Sequence, residues 1–280
     1  MKMNKNTSRS RVRTAVFVTS FLLFLLIMDY PYLSRIYNDI ISGNVIASYQ
    51  KTEEASECGR RILLAQEYNR YLAGDGACPD ESWRRWEDGA NILCMDPAEK
   101  GLAGWIRISS LDLYLPLYIG TQDDVLRSGA GILEGSSLPV GGTGTHTCIS
   151  AHRGLPDRTL FTNLDLMKNN DTIEIHALGQ ELYYKVFGNE TVLPSETGPL
   201  AIIPGKDLLT LITCTPYGIN THRLYVHAER CADPSDTEGE GAGISVWKRL
   251  TGFVFWKRWW WIPATAALLA LMCVIVLKKR

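Results

Sequence analysis

The chain has 280 residues, of which 46% are hydrophobic and 21% are charged, and its formal net charge is -1. This length and composition allow one sizeable folded domain with attached segments, and a near-neutral charge argues against nucleic acid as the main partner. The sequence has no glycine-rich phosphate loop, no distinctive pair of carboxylates and no internal repeat, so we expect no cofactor.

The first predicted element is an apolar run over residues 14–28 that follows a basic N-terminus. This combination is typical of a signal sequence or signal anchor. The run is short for a membrane-spanning helix, although Tyr30, Tyr32 and Leu33 extend it into the interface. No small-x-small cleavage site follows closely, so we favour an uncleaved anchor over residues 1–34 with a cytoplasmic tail. The basic residues of this tail are Lys2, Lys5, Arg9, Arg11 and Arg13.

Residues 35–100 form the second predicted region. Up to residue 72, apolar residues recur at roughly helical intervals, which predicts two helices leading away from the membrane. Residues 73–100 contain glycines and prolines among acidic residues, a composition typical of a loop. The helical pattern is carried by Ile36, Ile40, Ile41, Ile62, Leu63 and Leu64.

Residues 101–232 contain short β-rich runs separated by turns, with few helical patterns between them. Several strands at such short spacing predict a mainly β fold, a closed or nearly closed barrel. Residues 160–167 are an exception, because their pattern predicts a short connecting helix. The strand-like runs are WIRIS, LYLPLYIG, THTCISAH, TIEIHAL, ELYYKVFG, TVLP, LLTLITC and RLYVHAE.

The last two runs place a thiol beside a cation. Residues 208–213 form a predicted strand, and Cys214 stands at its end, before a turn rich in proline, glycine and asparagine. The next strand begins at Arg223, and an antiparallel return brings the Arg223 guanidinium beside Cys214. A neighbouring positive charge favours the reactive thiolate, and a guanidinium also stabilises the oxyanion that forms when a thiolate attacks an amide.

Acyl transfer by a cysteine also needs an imidazole, and the sequence offers five histidines. His146 and His152 share one strand-like run and one face, but six residues separate them by roughly 20 Å, so only one of them can serve Cys214. His152 closes its strand just before a turn, the same kind of position that Cys214 has, so we prefer His152. The other three are interpreted as strand or loop residues: His176, His222 and His227.

The C-terminal part of the chain contains a polar segment and a second apolar run. Residues 233–256 begin with a polar, glycine-rich stretch and are interpreted as a flexible linker. Residues 257–280 combine three tryptophans, an apolar run and a basic tail, the pattern of a membrane-spanning helix with an interfacial belt. Both termini are then cytoplasmic and the barrel is extracellular. Basic residues at 248–249 and 257–258 oppose this orientation, and the N-terminal charges decide it.

Three motifs resemble a known family. The segments GAGILEGSSLPVGGTGTH (129–146), SAHRGLPDRTLFTNLD (150–165) and TLITCTPYGINTHRL (210–224) closely resemble the sortases, and among them the pilin-polymerising class C group. The resemblance covers roughly residues 102–230 and holds in all three motifs, in the same order. It implies the sortase-type closed β-barrel with short connecting helices.

The resemblance also implies a role for each candidate residue. Cys214 corresponds to the nucleophile, His152 to its acid/base partner and Arg223 to the residue that stabilises the oxyanion or orients the substrate. One departure is Ala151, where the family usually has glycine, and it should tighten the local backbone without removing any chemistry. Two neighbours expected to line the substrate site are Thr213 and His222.

In class C sortases the segment before the barrel carries a lid, typically an Asp-Pro-aromatic motif that covers the active-site groove. The sequence departs from this pattern, because the Asp-Pro pair at 96–97 is followed by Ala98. We therefore prefer Trp83 as the residue that covers the thiol and Asp80 as a partner for Arg223. A solvated loop with one anchoring tryptophan is the alternative.

The function implied by the resemblance is that of a membrane-anchored cysteine transpeptidase that faces the cell exterior. It cleaves a Leu-Pro-x-Thr-Gly-like sorting signal between Thr and Gly through a thioester, which a lysine amine of another pilin subunit resolves during pilus assembly. A housekeeping-type sortase that attaches surface proteins to cell-wall peptide and a catalytically silent surface binding module are the alternatives. The expected partners are sorting signals, an acceptor lysine amine or cell-wall peptide, and membrane lipid.

The remaining cysteines have several interpretations. Cys148 lies in mid-strand, where a buried, inert thiol is usual, and Cys273 lies in the second predicted span. An oxidising exterior allows disulfides among the others, and a pair of Cys78 with Cys94 would brace the lid. A metal site built from Cys148 and the two histidines of its strand is disfavoured, because an extended strand separates the histidines too far. The cysteines that an oxidising exterior can pair are Cys58, Cys78, Cys94 and Cys231.

Overall fold

The computed structural model describes residues 5–54, 58–74, 91–94 and 101–233, and it places eight strands in the last of these ranges. The strands are β1 (Leu102–Ile108), β2 (Leu113–Ile119), β3 (Ala130–Ile132), β4 (Thr145–Ser150), β5 (Thr172–Ala177), β6 (Gln180–Val192), β7 (Asp207–Thr215) and β8 (His222–Cys231). They close into a barrel with the order β1-β2-β3-β4-β7-β8-β6-β5, which confirms the predicted fold class.

Strand direction decides which residues meet at each end of the barrel. Strands β2 and β3 are parallel, as are β4 and β7, and the other neighbouring pairs are antiparallel. Because β4 and β7 run in the same direction, the residues that follow them emerge at the same rim. The predicted site residues lie at that rim.

The two faces of β7 have different environments. Its inward side chains include Leu209, Leu211 and Thr213, which are at most 1% exposed and belong to the barrel interior. Because side chains alternate along a strand, Cys214 projects from the outer face. On that outer face, Cys148, Val192, Ile212 and Tyr225 form a small apolar cluster that is separate from the barrel interior.

Helix α1 (Lys5–Glu54) is one continuous helix of 50 residues, so the predicted anchor and the first predicted helix are a single element. Its first part exposes large apolar side chains such as Val16 and Leu22. By length and composition, the part of α1 over Val16–Thr52 contains a stretch that is apolar enough to cross a membrane. Its last part packs on the barrel through Ile46 and Tyr49, which are 1% and 3% exposed.

Helix α2 (Cys58–Leu72) is the second predicted helix, and it is joined to the barrel by a buried amide. The Asn69 side chain donates to the Leu138 carbonyl at 2.9 Å and accepts from the Leu138 N–H at 2.7 Å. Of the predicted lid region, residues 91–94 are described, and Arg61 of α2 donates to the carbonyl of Cys94 at 2.6 Å. Both helices therefore pack against the barrel.

Three details differ from the sequence prediction, and each has a local cause. The prediction omits β3, because three residues are too few to show an alternation. Strand β6 joins the predicted run ELYYKVFG to the start of TVLP, because Asn189 and Glu190 between them continue the pairing with β8. Residues 160–167 form turns and a short 3₁₀ helix (Leu164–Leu166) instead of the predicted helix, because Leu160 has a φ of 40°.

Several predictions fall on residues outside the described ranges. These are the linker, the C-terminal span, Cys78, and the two lid residues Asp80 and Trp83. The described residues belong to one unit, which ends at Asp233.

Candidate active site

Strands β7 and β8 bring Cys214 and Arg223 together. The antiparallel register pairs Cys214 directly with Arg223, and Thr215 with His222. Directly opposed side chains in such a pair lie on one face, with their Cβ atoms about 4.5–5.5 Å apart. The Arg223 guanidinium donates to the carbonyls of Asn220 at 3.3 Å and His222 at 3.2 Å. Both acceptors are uncharged, so they leave the positive charge of Arg223 available to the site.

Strand β4 carries His152 to the same rim. The last residue of β4 pairs with Ile212 of β7, so the register places His152, two residues further, level with Cys214. The backbone stays beside β7 there, because the Ala151 N–H donates to the Ile212 carbonyl at 3.2 Å. The Thr213 hydroxyl also donates to the Ala151 carbonyl at 2.9 Å. Residues level with each other on parallel neighbours project to one face, so His152 and Cys214 share the outer face.

Two thiols on this outer face have different surroundings. Cys148 is 1% exposed, and burial raises the pKa of its thiol to about 12. It therefore remains protonated and unreactive at neutral pH. Cys214 is partly exposed, at the point where β7 gives way to a loop. A substrate can reach Cys214, whereas Cys148 is part of the wall.

An aspartate that the sequence analysis did not find contacts the candidate imidazole. Asp123 is the first residue of the short helix α3 (Asp123–Ser128), and its Oδ1 lies 3.5 Å from His152 Nε2. Its Oδ2 accepts from Arg127 Nε at 2.7 Å. Arg127, and to a smaller extent His152, lower the pKa of the Asp123 carboxyl, so it is ionised at neutral pH. No local pattern links it to a histidine 29 positions away, so folding alone reveals the contact.

Arg153 is a second arginine beside the site, and its contacts are those of a structural brace. Its guanidinium pairs with Asp165 at 2.9 Å, and the side chain is 9% exposed. It also donates to the Thr215 hydroxyl at 3.2 Å. These contacts hold the loop that follows His152 against the end of β7.

The two predicted neighbours of the nucleophile lie in different places. Thr213 is 1% exposed and faces the barrel interior, where its hydroxyl supports the backbone before His152. His222 is partly exposed, pairs across the strands with Thr215, and its Nδ1 lies 2.9 Å from the Thr221 hydroxyl. His222 is therefore at the rim, while Thr213 lies beneath it.

At the opposite end of the β4–β7 pair, His146 belongs to a chain of hydrogen bonds. Its Nδ1 lies 2.9 Å from the Ala201 carbonyl, and its Nε2 lies 2.7 Å from the Thr210 hydroxyl. The Thr210 hydroxyl lies 2.8 Å from Nδ1 of His227, whose Nε2 lies 3.1 Å from the Glu190 carboxylate. Burial lowers the pKa of His146. This imidazole is held neutral as part of the wall.

The register also separates His146 from the candidate nucleophile. His146 pairs with Leu208, six residues before Cys214, which corresponds to roughly 20 Å of extended strand. This distance supports the choice of His152. Within the described ranges, no group of three or more histidine, cysteine, aspartate or glutamate side chains meets in a way that would hold a metal ion.

Comparison with known proteins adds a family match. Residues 106–231 match the Sortase domain family. A curated relative, Sortase A of Streptococcus agalactiae serotype III (strain NEM316), is 30% identical over 129 residues, which are 45% of this chain and 51% of that protein. Sortase A of Bacillus anthracis is 30% identical over 139 residues, 50% of this chain and 64% of that protein. The chain therefore spans about half to two thirds of these curated relatives.

Solved structures match over a larger part of their length. Streptococcus pneumoniae sortase C is 41% identical, with a TM-score of 0.59, and the match covers 68% of this chain and 97% of that one. Clostridium perfringens sortase C, solved with a C-terminal cell wall sorting motif, is 36% identical, with a TM-score of 0.59 and coverages of 69% and 100%. Sortase C-1 of Actinomyces oris is 38% identical, with a TM-score of 0.56 and coverages of 63% and 99%.

Proposed function

The chain belongs to the sortase family, and on that basis we propose that it is a pilin-polymerising cysteine transpeptidase, anchored in the membrane with its barrel outside the cell. The similarity to solved sortase C enzymes over nearly their whole length supports the class. The exposed apolar part of α1 supports the membrane anchor.

In the proposed first half-reaction, the Cys214 thiolate attacks the threonine carbonyl carbon of a Leu-Pro-x-Thr-Gly-like sorting signal. Arg223 donates hydrogen bonds to the oxyanion of the tetrahedral intermediate. The bond between this carbon and the glycine nitrogen then breaks, and the His152 imidazolium gives its proton to the departing amine. The product is a thioester between the threonine acyl group and Cys214 Sγ.

The proposed second half-reaction transfers the acyl group to a lysine amine of another pilin subunit. The amine attacks the thioester carbon, and His152, now neutral, takes the proton that the amine loses. An isopeptide bond forms and Cys214 leaves as the thiolate, so the enzyme returns to its starting state. Neither half-reaction oxidises or reduces any group, which agrees with the expectation that no cofactor is needed.

One observation carries this proposal: the register pairs Cys214 with Arg223 while β4 delivers His152 to the same level. A thiol flanked by a permanent cation and an imidazole has the three groups that acyl transfer through sulfur requires. The contrast with Cys148, whose burial keeps it protonated, supports the choice of nucleophile.

Attachment of surface proteins to cell-wall peptide is a second candidate, favoured by the two curated relatives, which are both named Sortase A. The two candidates share the first half-reaction and differ in the amine that resolves the thioester. Mass spectrometry of the products formed with candidate pilins and with cell-wall peptide distinguishes them. A lysine-linked pilin dimer supports the first candidate, and a peptide-linked product supports the second.

The test of the shared chemistry is removal of the thiol. We expect Cys214→Ala in the full-length protein to abolish both peptide cleavage and the thioester adduct seen by mass spectrometry, while binding of the sorting-signal peptide is retained. Cys148→Ala is the matched control, and it should keep the activity because that thiol is buried. Cleavage that persists in Cys214→Ala would overturn the mechanism, and a wild-type protein that binds the peptide without cleaving it would indicate a silent binding module.

A further inference from the structure

The loop that follows His152 is attached directly to helix α1. Arg35 Nε donates to the Pro156 carbonyl at 3.2 Å, and Asn38 Nδ2 donates to the Asp157 carbonyl at 3.0 Å. The contact is completed by Arg158, which donates to Asn38 Oδ1 at 3.2 Å. Residues 156–158 are therefore fixed at the height of Arg35 and Asn38 along α1.

This height is close to the end of the apolar segment of α1. The helix rises about 1.5 Å per residue, so Arg35 lies roughly 10 Å along the helix from Met28 and about 3 Å from Leu33. Leu33 is 53% exposed, in line with a residue that faces lipid. Each polar headgroup layer of a bilayer is about 5–8 Å thick. If the apolar segment spans the membrane, residues 156–158 lie at the bilayer surface.

The turn after Cys214 is held against the same loop. The Tyr217 ring packs on Gly154 so closely that a Cβ at that position would lie 3.0 Å from a ring carbon. Gly154 also has a φ of 82°, which favours glycine for a second reason. The Arg153–Thr215 hydrogen bond, 3.2 Å long, joins the two segments one residue past the thiol. The β7–β8 turn therefore packs directly on the loop, within a few residues of the part that α1 holds.

This turn exposes two large apolar side chains. The N–H groups of Ile219 and Asn220 both donate to the Pro216 carbonyl at 3.0 Å, which closes the turn. Tyr217 is 59% exposed and Ile219 is 67% exposed. The membrane interface accommodates both tyrosine and aliphatic residues, so this turn has the side chains that an interfacial contact needs.

The opposite side of the barrel is farther from the membrane. Tyr49 lies 14 residues after Arg35, about 21 Å higher along α1. Its hydroxyl donates to the Ala103 carbonyl at 3.0 Å and accepts from the Leu178 N–H at 3.1 Å. Residues around Leu178, including Glu181, the second residue of β6, therefore provide a distal reference.

We propose that the β7–β8 turn, residues 216–220, docks on the outer lipid surface, with Tyr217 and Ile219 in the interfacial layer. The docking rests on the membrane anchor in the proposed function and goes beyond it. Helix α1 holds the loop at 154–158 near the bilayer surface. The turn packs on this loop and exposes the two apolar side chains. The mouth of the active site then opens along the bilayer surface, so a sorting signal reaches it there.

The test places a photo-crosslinking amino acid, p-benzoylphenylalanine, at single positions of the full-length protein in vesicles of phosphatidylcholine and phosphatidylglycerol. Position 22, in the apolar part of α1, is the positive reference, and position 181 is the distal control with an exposed side chain. After irradiation, mass spectrometry identifies the adducts. We expect lipid adducts at positions 22, 217 and 219, and at position 181 none beyond the dark sample.

Four other outcomes contradict the docking. Adducts at position 22 without adducts at 217 and 219 show a spanning helix with an undocked turn. Equal lipid adducts at 181 and 217 show non-specific contact, and adducts that join position 217 to a second polypeptide show that another protein covers the turn; adducts within the chain, such as with the adjacent loop at Gly154, are neutral. No adduct at position 22 removes the anchor and the docking together. Peptide cleavage by the unsubstituted protein in the same vesicles tests the catalytic proposal separately, because crosslinking does not depend on turnover.

Discussion

His146 and His152 lie on one segment and on one face of the barrel wall, but their surroundings are opposite. The His146 side chain is buried, and both of its ring nitrogens have hydrogen-bond partners. The His152 side chain is 29% exposed, and its Nε2 lies 3.5 Å from the exposed carboxylate of Asp123. The first ring is bonded as a part of the wall, while the second remains accessible to solvent and substrate.

The two cysteines of this face repeat the contrast. Cys148 pairs with Thr210 in the middle of the β4–β7 ladder and is buried, whereas Cys214 stands at the end of β7 and is partly exposed. In the middle of a strand, neighbouring residues cover a side chain and favour its neutral form. At the ends of two parallel strands, side chains meet without being covered. The parallel β4–β7 pair therefore places an accessible cysteine and histidine at the rim, while the other cysteine and histidine of the pair are buried.

The largest expected effect comes from replacing the rim histidine. We expect His152→Ala to lower kcat/KM for sorting-signal peptide by roughly 10²–10⁴-fold, because the leaving amine then lacks its acid. The thermal unfolding temperature should change little, because the His152 side chain is partly exposed. The measurement combines a peptide-cleavage assay with a thermal melt of the same preparation. A His152→Ala protein that cleaves at the wild-type rate would remove the distinction between the two histidines.

The rim could be predicted from the sequence because its three residues lie at the ends of strand-like runs. Turn residues marked the ends at Cys214 and His152, an antiparallel return placed Arg223 beside Cys214, and the resemblance to the sortases supported the choice of His152. Asp123 could not be predicted, because the contact with His152 depends on how α3 packs. The hydrogen-bond chain of His146 was equally inaccessible, since Glu190 and His227 belong to strands whose pairing follows only from barrel closure.

An intermediate effect is expected from replacing His146, the buried histidine of the barrel wall. We expect this change to lower stability and to leave activity nearly unchanged. His146→Ala removes one of the two partners of the buried Thr210 hydroxyl and also the hydrogen bond to the Ala201 carbonyl, so we expect a loss of about 1–3 kcal/mol in the free energy of unfolding. Denaturant unfolding at pH 8 measures this loss. Peptide cleavage well below the unfolding transition should stay near the wild-type rate. A large loss of cleavage in a folded His146→Ala protein would place the wall histidine in the reaction.

The same variant gives a pH dependence with a defined sign. Burial lowers the pKa of His146 in the folded protein below its ordinary value of 6.5, so the unfolded chain binds more protons just below that pH. The contribution of His146 to the free energy of unfolding is therefore complete above about pH 6.5, and it is lost as the pH falls through the pKa of His146 in the folded protein. Thr210, His227 and Glu190 face the same network, so the difference between wild type and His146→Ala isolates the contribution of His146. The free energy of unfolding of wild type should exceed that of His146→Ala by less as the pH falls. An excess that grows as the pH falls would contradict this prediction.

The smallest expected effect concerns Asp123, which we interpret as a positioning residue for His152. Its carboxylate is exposed and shared with Arg127, so Asp123→Asn should lower kcat by only about two- to five-fold, with KM unchanged. Because the pKa of Asp123 is lowered, it stays ionised around neutral pH, so Asp123→Asn should leave the shape of the pH profile there unchanged. Asp123→Glu, which keeps the charge, should recover part of the loss.

Asp124 supplies the matched control, because it is the next residue of the same helix and, among the described residues, has no ion pair with His152. Asp124→Asn removes the same charge from α3 and should leave kcat unchanged. Equal losses in the two variants would show that the general negative charge of α3 matters and that the contact with His152 does not. A loss confined to KM would instead place Asp123 in substrate binding. Only a kcat loss specific to Asp123 would add it to the proposed site as a fourth residue, one that orients the His152 imidazole and does not itself react.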